Sequence, residues 1–250
     1  MKTTMEMYAS ERPAIIVDDV SKRFMRRNTH SFKEAFIGWI KGKRVRADVF
    51  EALRGVSFHV GEGEAVAVLG LNGSGKSTTL KLISGVLEPD SGRVFTRGRV
   101  AGLIEVGAGF HPDLSGRENV FLNAAILGMS RSETEARFDD IVAFSEIGDF
   151  IDQEVKHYSS GMFMRLAFSV AIHVELDVLL VDEILSVGDG PFRAKCAAKI
   201  KELTASGVTM LVVSHDMNMV QQLCERGIVI EKGAKIFDGP VAEAVSLLRG

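Results

Sequence analysis

Short, almost wholly apolar runs that stop abruptly at polar residues recur along the chain, at Ala65–Leu69, Val178–Val181 and, with Thr209 as its one polar member, Val208–Val213. Runs of this length without alternation predict strands buried on both faces. A helical stripe follows at Phe163, Leu166, Ala167, Val170 and Ala171, and Leu80 to Ile83 continues as helix after the first run. Ser115 with Glu118, and Ser130 with Glu133, have the spacing of capping boxes and predict helix starts. One further stripe, Phe32, Ala35, Phe36, Trp39 and Ile40, marks an amphipathic helix within S-F-K-E-A-F-I-G-W-I-K-G-K-R-V, Ser31 to Val45.

Composition bounds these elements without changing them. The 250 residues, 46% hydrophobic and 25% charged, suit one well-buried domain or one domain with a small appended lobe. No apolar run approaches the roughly 18 residues needed to span a bilayer, and the N-terminus lacks the apolar core of a signal peptide. The expectation is a cytosolic chain, or one peripheral to a membrane. Cys196 and Cys224 are too few and too far apart for a zinc motif or a disulfide framework, and read as reduced packing residues. Charge changes the picture more. The chain carries −3, yet Lys22 to Arg46 holds nine Lys or Arg against Glu34 alone, so that segment is +8 and the remainder −11.

Chemistry gathers where the buried runs end. After Ala65–Leu69 comes G-L-N-G-S-G-K-S, which matches G-x-x-x-x-G-K-[ST] at every fixed position and leads into a helix. Strand, loop and helix in this order aim backbone N–H groups and a positive helix end at phosphates. The candidate phosphate-binding residues are therefore Gly70, Leu71, Asn72, Gly73, Ser74, Gly75, Lys76, Ser77 and Thr78. Lys76 supplies charge for the β- and γ-phosphates, Ser77 a hydroxyl for Mg²⁺, and Thr78 reaches the α-phosphate. The second run ends in Asp182 and Glu183. Asp182 would hold Mg²⁺ through its water shell, and Glu183 would orient or deprotonate an attacking water. The third run ends at Ser214 and His215. Histidines 30, 59, 111, 157 and 173 take the ordinary reading of solvated or satisfied polar residues, whereas His215 sits at a strand end.

These strand ends, with Y-S-S-G-M at Tyr158 to Met162, resemble the ATP-binding cassette family of transporter nucleotide-binding subunits over nearly the whole chain. The family's signature, usually L-S-G-G-Q, begins a helix that contacts the γ-phosphate held by the other subunit. Ser159 and Gly161 match it, while Tyr158, Ser160 and Met162 depart. The resemblance implies that Ser159, Ser160, Gly161 and Met162 touch the nucleotide, that Asp189 in S-V-G-D crosses to the partner subunit, that His215 steadies the γ-phosphate and that Phe24 stacks on adenine. It implies a RecA-like α/β core, an antiparallel β subdomain framed by strands around Ile15–Val20 and Val49–Val60, and a helical subdomain over residues 111–173, all in one domain. Where the family places a Mg²⁺-sensing glutamine, this chain has Glu105, a better metal ligand than an amide and a proton acceptor.

The segment L-I-E-V-G-A-G-F-H-P, with L-S-G-R-E-N-V, S-S-G-M and V-D-E-I-L-S-V-G-D, further resembles the exporters of bacterial O-antigen, teichoic acid and related lipid-linked glycans. That branch carries a gate helix where residues 25–48 interrupt the first two strands here. A surface helix on its own domain and a membrane-surface helix beside Lys33, Lys41, Lys43, Arg44 and Arg46 are the other readings. The resemblance implies an ATP- and Mg²⁺-dependent homodimer on the cytoplasmic face of the inner membrane, driving two copies of a separate permease that moves lipid-linked polysaccharide. No nucleic-acid partner is expected. A soluble cassette acting on ribosomes or DNA, and the cassette of another transporter, are the rival readings. The residues after Gly239 and Pro240 leave no room for an appended carbohydrate-binding domain, so none is expected.

Overall fold

The computed structural model describes residues 12–26, 48–103, 107, 109–182, 189–214 and 216–249. In chain order its elements are β1 (Pro13–Arg26), β2 (Asp48–Gly61), β3 (Ala65–Leu69), α1 (Lys76–Ile83), β4 (Ser91–Thr96), β5 (Val100–Gly102), α2 (Gly116–Ile126), α3 (Arg131–Ser145), α4 (Ser160–His173), β6 (Val178–Val181), α5 (Gly190–Ala205), β7 (Thr209–Val212), α6 (Met217–Leu223), β8 (Arg226–Glu231), β9 (Ala234–Pro240) and α7 (Val241–Arg249).

The three apolar runs become neighbours in one sheet, ordered β5-β6-β7-β3-β8-β9 and parallel except where β9 runs antiparallel to β8. Side chains alternate between its faces. Val66, Val68, Val178, Leu180, Leu211 and Val213 pack with Leu80, Leu82 and Ile83 of α1 and with Ile15, Leu53 and Val60 of a second, antiparallel sheet ordered β2-β1-β4. Ala67, Leu69, Leu179, Val181, Met210 and Val212 pack on the other face with Phe168, Phe192, Ile200 and Ala244. Both faces are covered, which is why these strands show no polar alternation. Each fully buried Val or Leu contributes about 1.5–3 kcal/mol relative to exposure. Cys196 and Cys224 are free thiols buried in the second of these cores, and burial pushes both up to about 12.

A third core forms the helical lobe, where Val120 and Ala124 of α2 and Ile141 of α3 meet Leu166 and Val170 of α4. Both predicted capping boxes are present, at Ser115 with Glu118 and Ser130 with Glu133. Hydrogen bonds from the Ser130 backbone and hydroxyl, and then from Arg99, hold the Glu133 carboxyl down at about 2. A depressed carboxylate adds stability above its unfolded value of about 4.3, and the contribution is lost as pH falls through about 2. The melting advantage of wild type over Glu133→Gln is therefore expected to hold above pH ~4.5 and to vanish near pH 2.

The β1–β2 ladder is longer than the strands expected around Ile15–Val20 and Val49–Val60. It continues through Arg23↔Glu51, Phe24↔Phe50 and Met25↔Val49 to Arg26↔Asp48. An Arg23–Glu51 ion pair at 2.8 Å and a Lys22–Asp90 pair at 2.9 Å support this polar end. Of the expected 25–48 insertion, Met25, Arg26 and Asp48 are thus strand. The amphipathic stretch Ser31–Val45, with the expected gate helix and Trp39, lies outside the described residues.

Candidate nucleotide-binding site

At the carboxyl end of β3 the chain turns into α1 through Gly70–Gly75, and two glycines make that turn possible. Gly70 has φ 150°, and a Cβ there would run into the Ile230 carbonyl and the Ser74 hydroxyl. Gly75 has φ 118°, and a Cβ there would lie 2.7 Å from the Ala52 carbonyl and from Leu53 Cδ2. Lys76 is buried, and its Nζ crosses the loop to donate to Gly70 O at 2.8 Å and Leu71 O at 3.2 Å. No side chain caps α1, whose N-cap is Gly75. A helix start left this way presents its first amides and its positive dipole end to an anion.

Beside the loop lies a cavity of about 270 Å³ lined by Phe50, Ala52, Asn72, Gly73, Gly75, Lys76, Ser77 and Thr78. Phe24 stands directly across the ladder from Phe50, the two being 37% and 40% exposed, with Lys22 Nζ 5.8 Å from the Phe24 ring centre. The sequence pointed to Phe24 alone. Phe50 is the ring that lines the cavity, and only the β1–β2 register shows it.

The rows of the sheet place Asp182. Ala67 of β3 pairs with Val212 of β7, and Val212 with Val181 of β6. Val213 N donates to Val181 O at 2.7 Å and extends that row. Asp182 therefore stands two strands from β3, about 10 Å away and level with the approach to the loop. Since Val181 faces the α5 side and Leu180 the α1 side, the alternation continued by one residue puts Asp182 on the α1 face. Glu105, Glu183 and His215 lie outside the described residues.

The signature residues belong to the helical lobe. Ser159 caps α4, its Oγ accepting from Met162 N at 3.2 Å, and none of Ser159, Ser160, Gly161 and Met162 lines the cavity beside Lys76. Tyr158 is a packing departure, because its hydroxyl donates to Phe150 O at 2.6 Å and occupies the space that a Cβ at Gly116 would need. Burial pushes its phenol up to about 12. Asp189 caps α5 through Phe192 N at 3.2 Å and accepts from Arg165 at 2.9 Å. Asn119, fully buried in R-E-N-V, donates to the carbonyls of His111, Leu114 and Ser115 and accepts from His111 N at 2.7 Å. It fixes the loop that precedes α2, a role that no sequence spacing marks.

The sequence profile of the ABC transporter family matches residues 53–186, more than half of the chain. The chain belongs to the ABC transporter family. It is 47% identical over 226 residues to the O-antigen export system ATP-binding protein RfbB of Myxococcus xanthus, covering 88% of this chain and 52% of that protein. Identity to an RfbB of Klebsiella pneumoniae is 50% over 192 residues, with 77% and 76% covered. The teichoic acids export ATP-binding protein TagH of Lactococcus lactis is 46% identical over 184 residues, with 74% and 39% covered. The chain thus spans about half the length of the first of these relatives. Among solved structures, a dimeric ATP-binding cassette in a post-hydrolysis state bound to ADP and Pi superposes with a TM-score of 0.71 at 22% identity, covering 91% of this chain and 98% of the other. That likeness carries the cassette fold: the RecA-like core, the antiparallel sheet and the helical lobe.

The loop of this cassette also fits a phosphate chemically. Ser74 Oγ is, among the buried side-chain polar atoms of the described residues, the one left without a hydrogen-bond partner. Such a group costs about 1–3 kcal/mol unless satisfied, and a phosphate oxygen in the loop would accept from it. No three His, Cys, Asp or Glu side chains gather as a metal cage among the described residues.

Proposed function

We propose that this chain is the ATP-hydrolysing subunit of an exporter that moves a lipid-linked polysaccharide of the O-antigen or teichoic acid type across the cytoplasmic membrane. The observation that carries this reading is 50% identity to an O-antigen export ATP-binding protein in a chain that keeps the phosphate loop intact. In the proposed arrangement two copies associate head to tail. Each nucleotide lies between the Gly70–Thr78 loop of one copy and the Ser159–Met162 helix start of the other, with Asp189 near the crossing. Lys76 and the loop amides offset the charge that develops on the γ-phosphate. Ser77 and Asp182, with Glu105, would hold Mg²⁺, which supplies charge neutralisation on the phosphates when bound. Glu183 orients and deprotonates the attacking water, and His215 donates to the γ-phosphate.

The proposed domain layout is a single nucleotide-binding domain with a helical subdomain over 111–173 and a gate helix within 25–48, next to a separate permease. Among the described residues no helix is long and apolar enough to cross a membrane. In the proposed layout the separate permease supplies the path. Cells lacking this chain are expected to lose the glycan from their surface and to retain its lipid-linked form inside. Unchanged surface glycan would overturn the reading.

The base site follows from the two rings of the β1–β2 ladder. Base–aromatic stacking is worth about 1–3 kcal/mol, so Phe50→Ala is expected to raise the Kd for ATP by roughly 5- to 150-fold. Affinity for inorganic triphosphate, which has no base to stack, should be unchanged. Calorimetric titration with both ligands checks this, and equal losses for the two would move the base away from Phe50.

A further inference from the structure

Three helices meet on one guanidinium. α3 ends on Glu146, whose φ of 58° turns the chain. The Glu146 carboxylate accepts from Arg165 Nη1 at 2.9 Å and from Lys195 Nζ at 3.0 Å. Arg165 lies on the second turn of α4, just past the signature residues, and its Nη2 donates to Asp189 Oδ1 at 2.9 Å. That same oxygen receives Phe192 N and so starts α5. The guanidinium also lies 4.8 Å over the ring of Phe192, which is buried. Planar and with its donors in a fixed fork, it ties three groups in one geometry as a flexible ammonium would not.

Connectivity gives this clamp its consequence. Asp182 follows β6, Asp189 is the N-cap of α5, and Glu183 belongs to the stretch between them. We propose that Arg165 is a positioning residue for hydrolysis, holding Asp189, and with it the downstream anchor of the stretch that carries Glu183, in register with the signature helix. This rests on the ATPase reading above. It adds that the start of the signature helix and the base are linked inside one copy through a side chain that does not line the cavity beside Lys76.

The test uses the purified 250-residue chain and the variants Arg165→Met, Arg165→Lys, Asp189→Asn, the Arg165→Met/Asp189→Asn double and Lys195→Met. Methionine keeps the cover over Phe192, and asparagine keeps the helix cap. Misplacement of a catalytic group by about 1 Å costs on the order of 100-fold. Arg165→Met is therefore expected to lower kcat for ATP by on the order of 10- to 100-fold with KM unchanged. The double variant should be no worse than Arg165→Met alone, because the charge pair that Asp189→Asn weakens is already gone once Arg165 is replaced. Lysine should recover little, and Lys195→Met should leave kcat at the wild-type level. A wild-type kcat in Arg165→Met, additive losses in the double, or full rescue by lysine would each overturn the proposal. Hydrogen exchange at the Phe192 amide separates this from failure of the ATPase reading. If the wild type hydrolyses no ATP, that reading falls, while faster exchange in Arg165→Met than in Lys195→Met still supports the clamp and unchanged exchange overturns it.

Discussion

Replacing Lys76 by methionine is expected to reduce ATP turnover by at least about 100-fold while leaving the cassette folded. The stem of Lys76 is buried, and methionine fills most of the same volume. What disappears is the ammonium, which now donates to Gly70 O and Leu71 O and would turn to the β- and γ-phosphates when nucleotide enters. Two carbonyls losing a donor would cost the fold about 1–3 kcal/mol, because water at the cavity mouth can replace part of what is lost. Nothing replaces a cation fixed beside the phosphoryl group as its charge shifts. Melting curves and turnover measured on the same preparation separate the two effects. A Lys76→Met chain that hydrolysed ATP at the wild-type rate would remove this loop from the mechanism.

The second large effect is expected at Glu183, where glutamine should cut turnover by about 10²–10⁴-fold and leave ATP binding intact. Glu183 lies outside the described residues, and its role is argued from its neighbours. Asp182 follows a β6 row that Val213 N extends and stands level with the approach to the phosphate loop two strands away. The carboxyl ends of parallel strands are the side where ligands bind, and Glu183 follows Asp182 in the sequence. Glutamine keeps the size and a hydrogen-bonding oxygen but cannot accept a proton. Single-turnover kinetics with pre-bound ATP isolates the chemical step, and a wild-type rate would refute the assignment of the base.

What was legible in the sequence was what is decided locally. Ala65–Leu69, Val178–Val181 and Val208–Val213 are buried on both faces, so their composition alone gives them away. The phosphate loop is legible because its conformation demands glycine at fixed positions such as Gly70 and Gly75, and the two capping boxes because each closes within four residues. The polar end of the β1–β2 ladder was not legible. Lys22 and Arg23 lie beyond the strand expected around Ile15–Val20 and look like loop residues until Leu53 and Glu51 of the partner strand pair with them. Phe50 was missed for the same reason, since its place depends on cross-strand register with Phe24. Asn119 and Arg165 were missed because a buried amide bonded to three carbonyls, or a cation shared among three helices, leaves no periodic trace along the chain. Asp189 was read from the resemblance as a crossing residue, and its bonds to Phe192 N and Arg165 within its own chain add a second duty to that expectation.

The head-to-tail pair of cassettes closing on ATP is the centre of this account, and the mass of the Glu183→Gln chain in solution tests it most directly. With hydrolysis blocked, ATP bound between two copies has no route to ADP and should hold them together. Light scattering is expected to give a dimer with ATP and Mg²⁺ and a monomer with ADP or without nucleotide. A protein that stayed monomeric at saturating ATP, or one that was dimeric whatever the nucleotide, would contradict it.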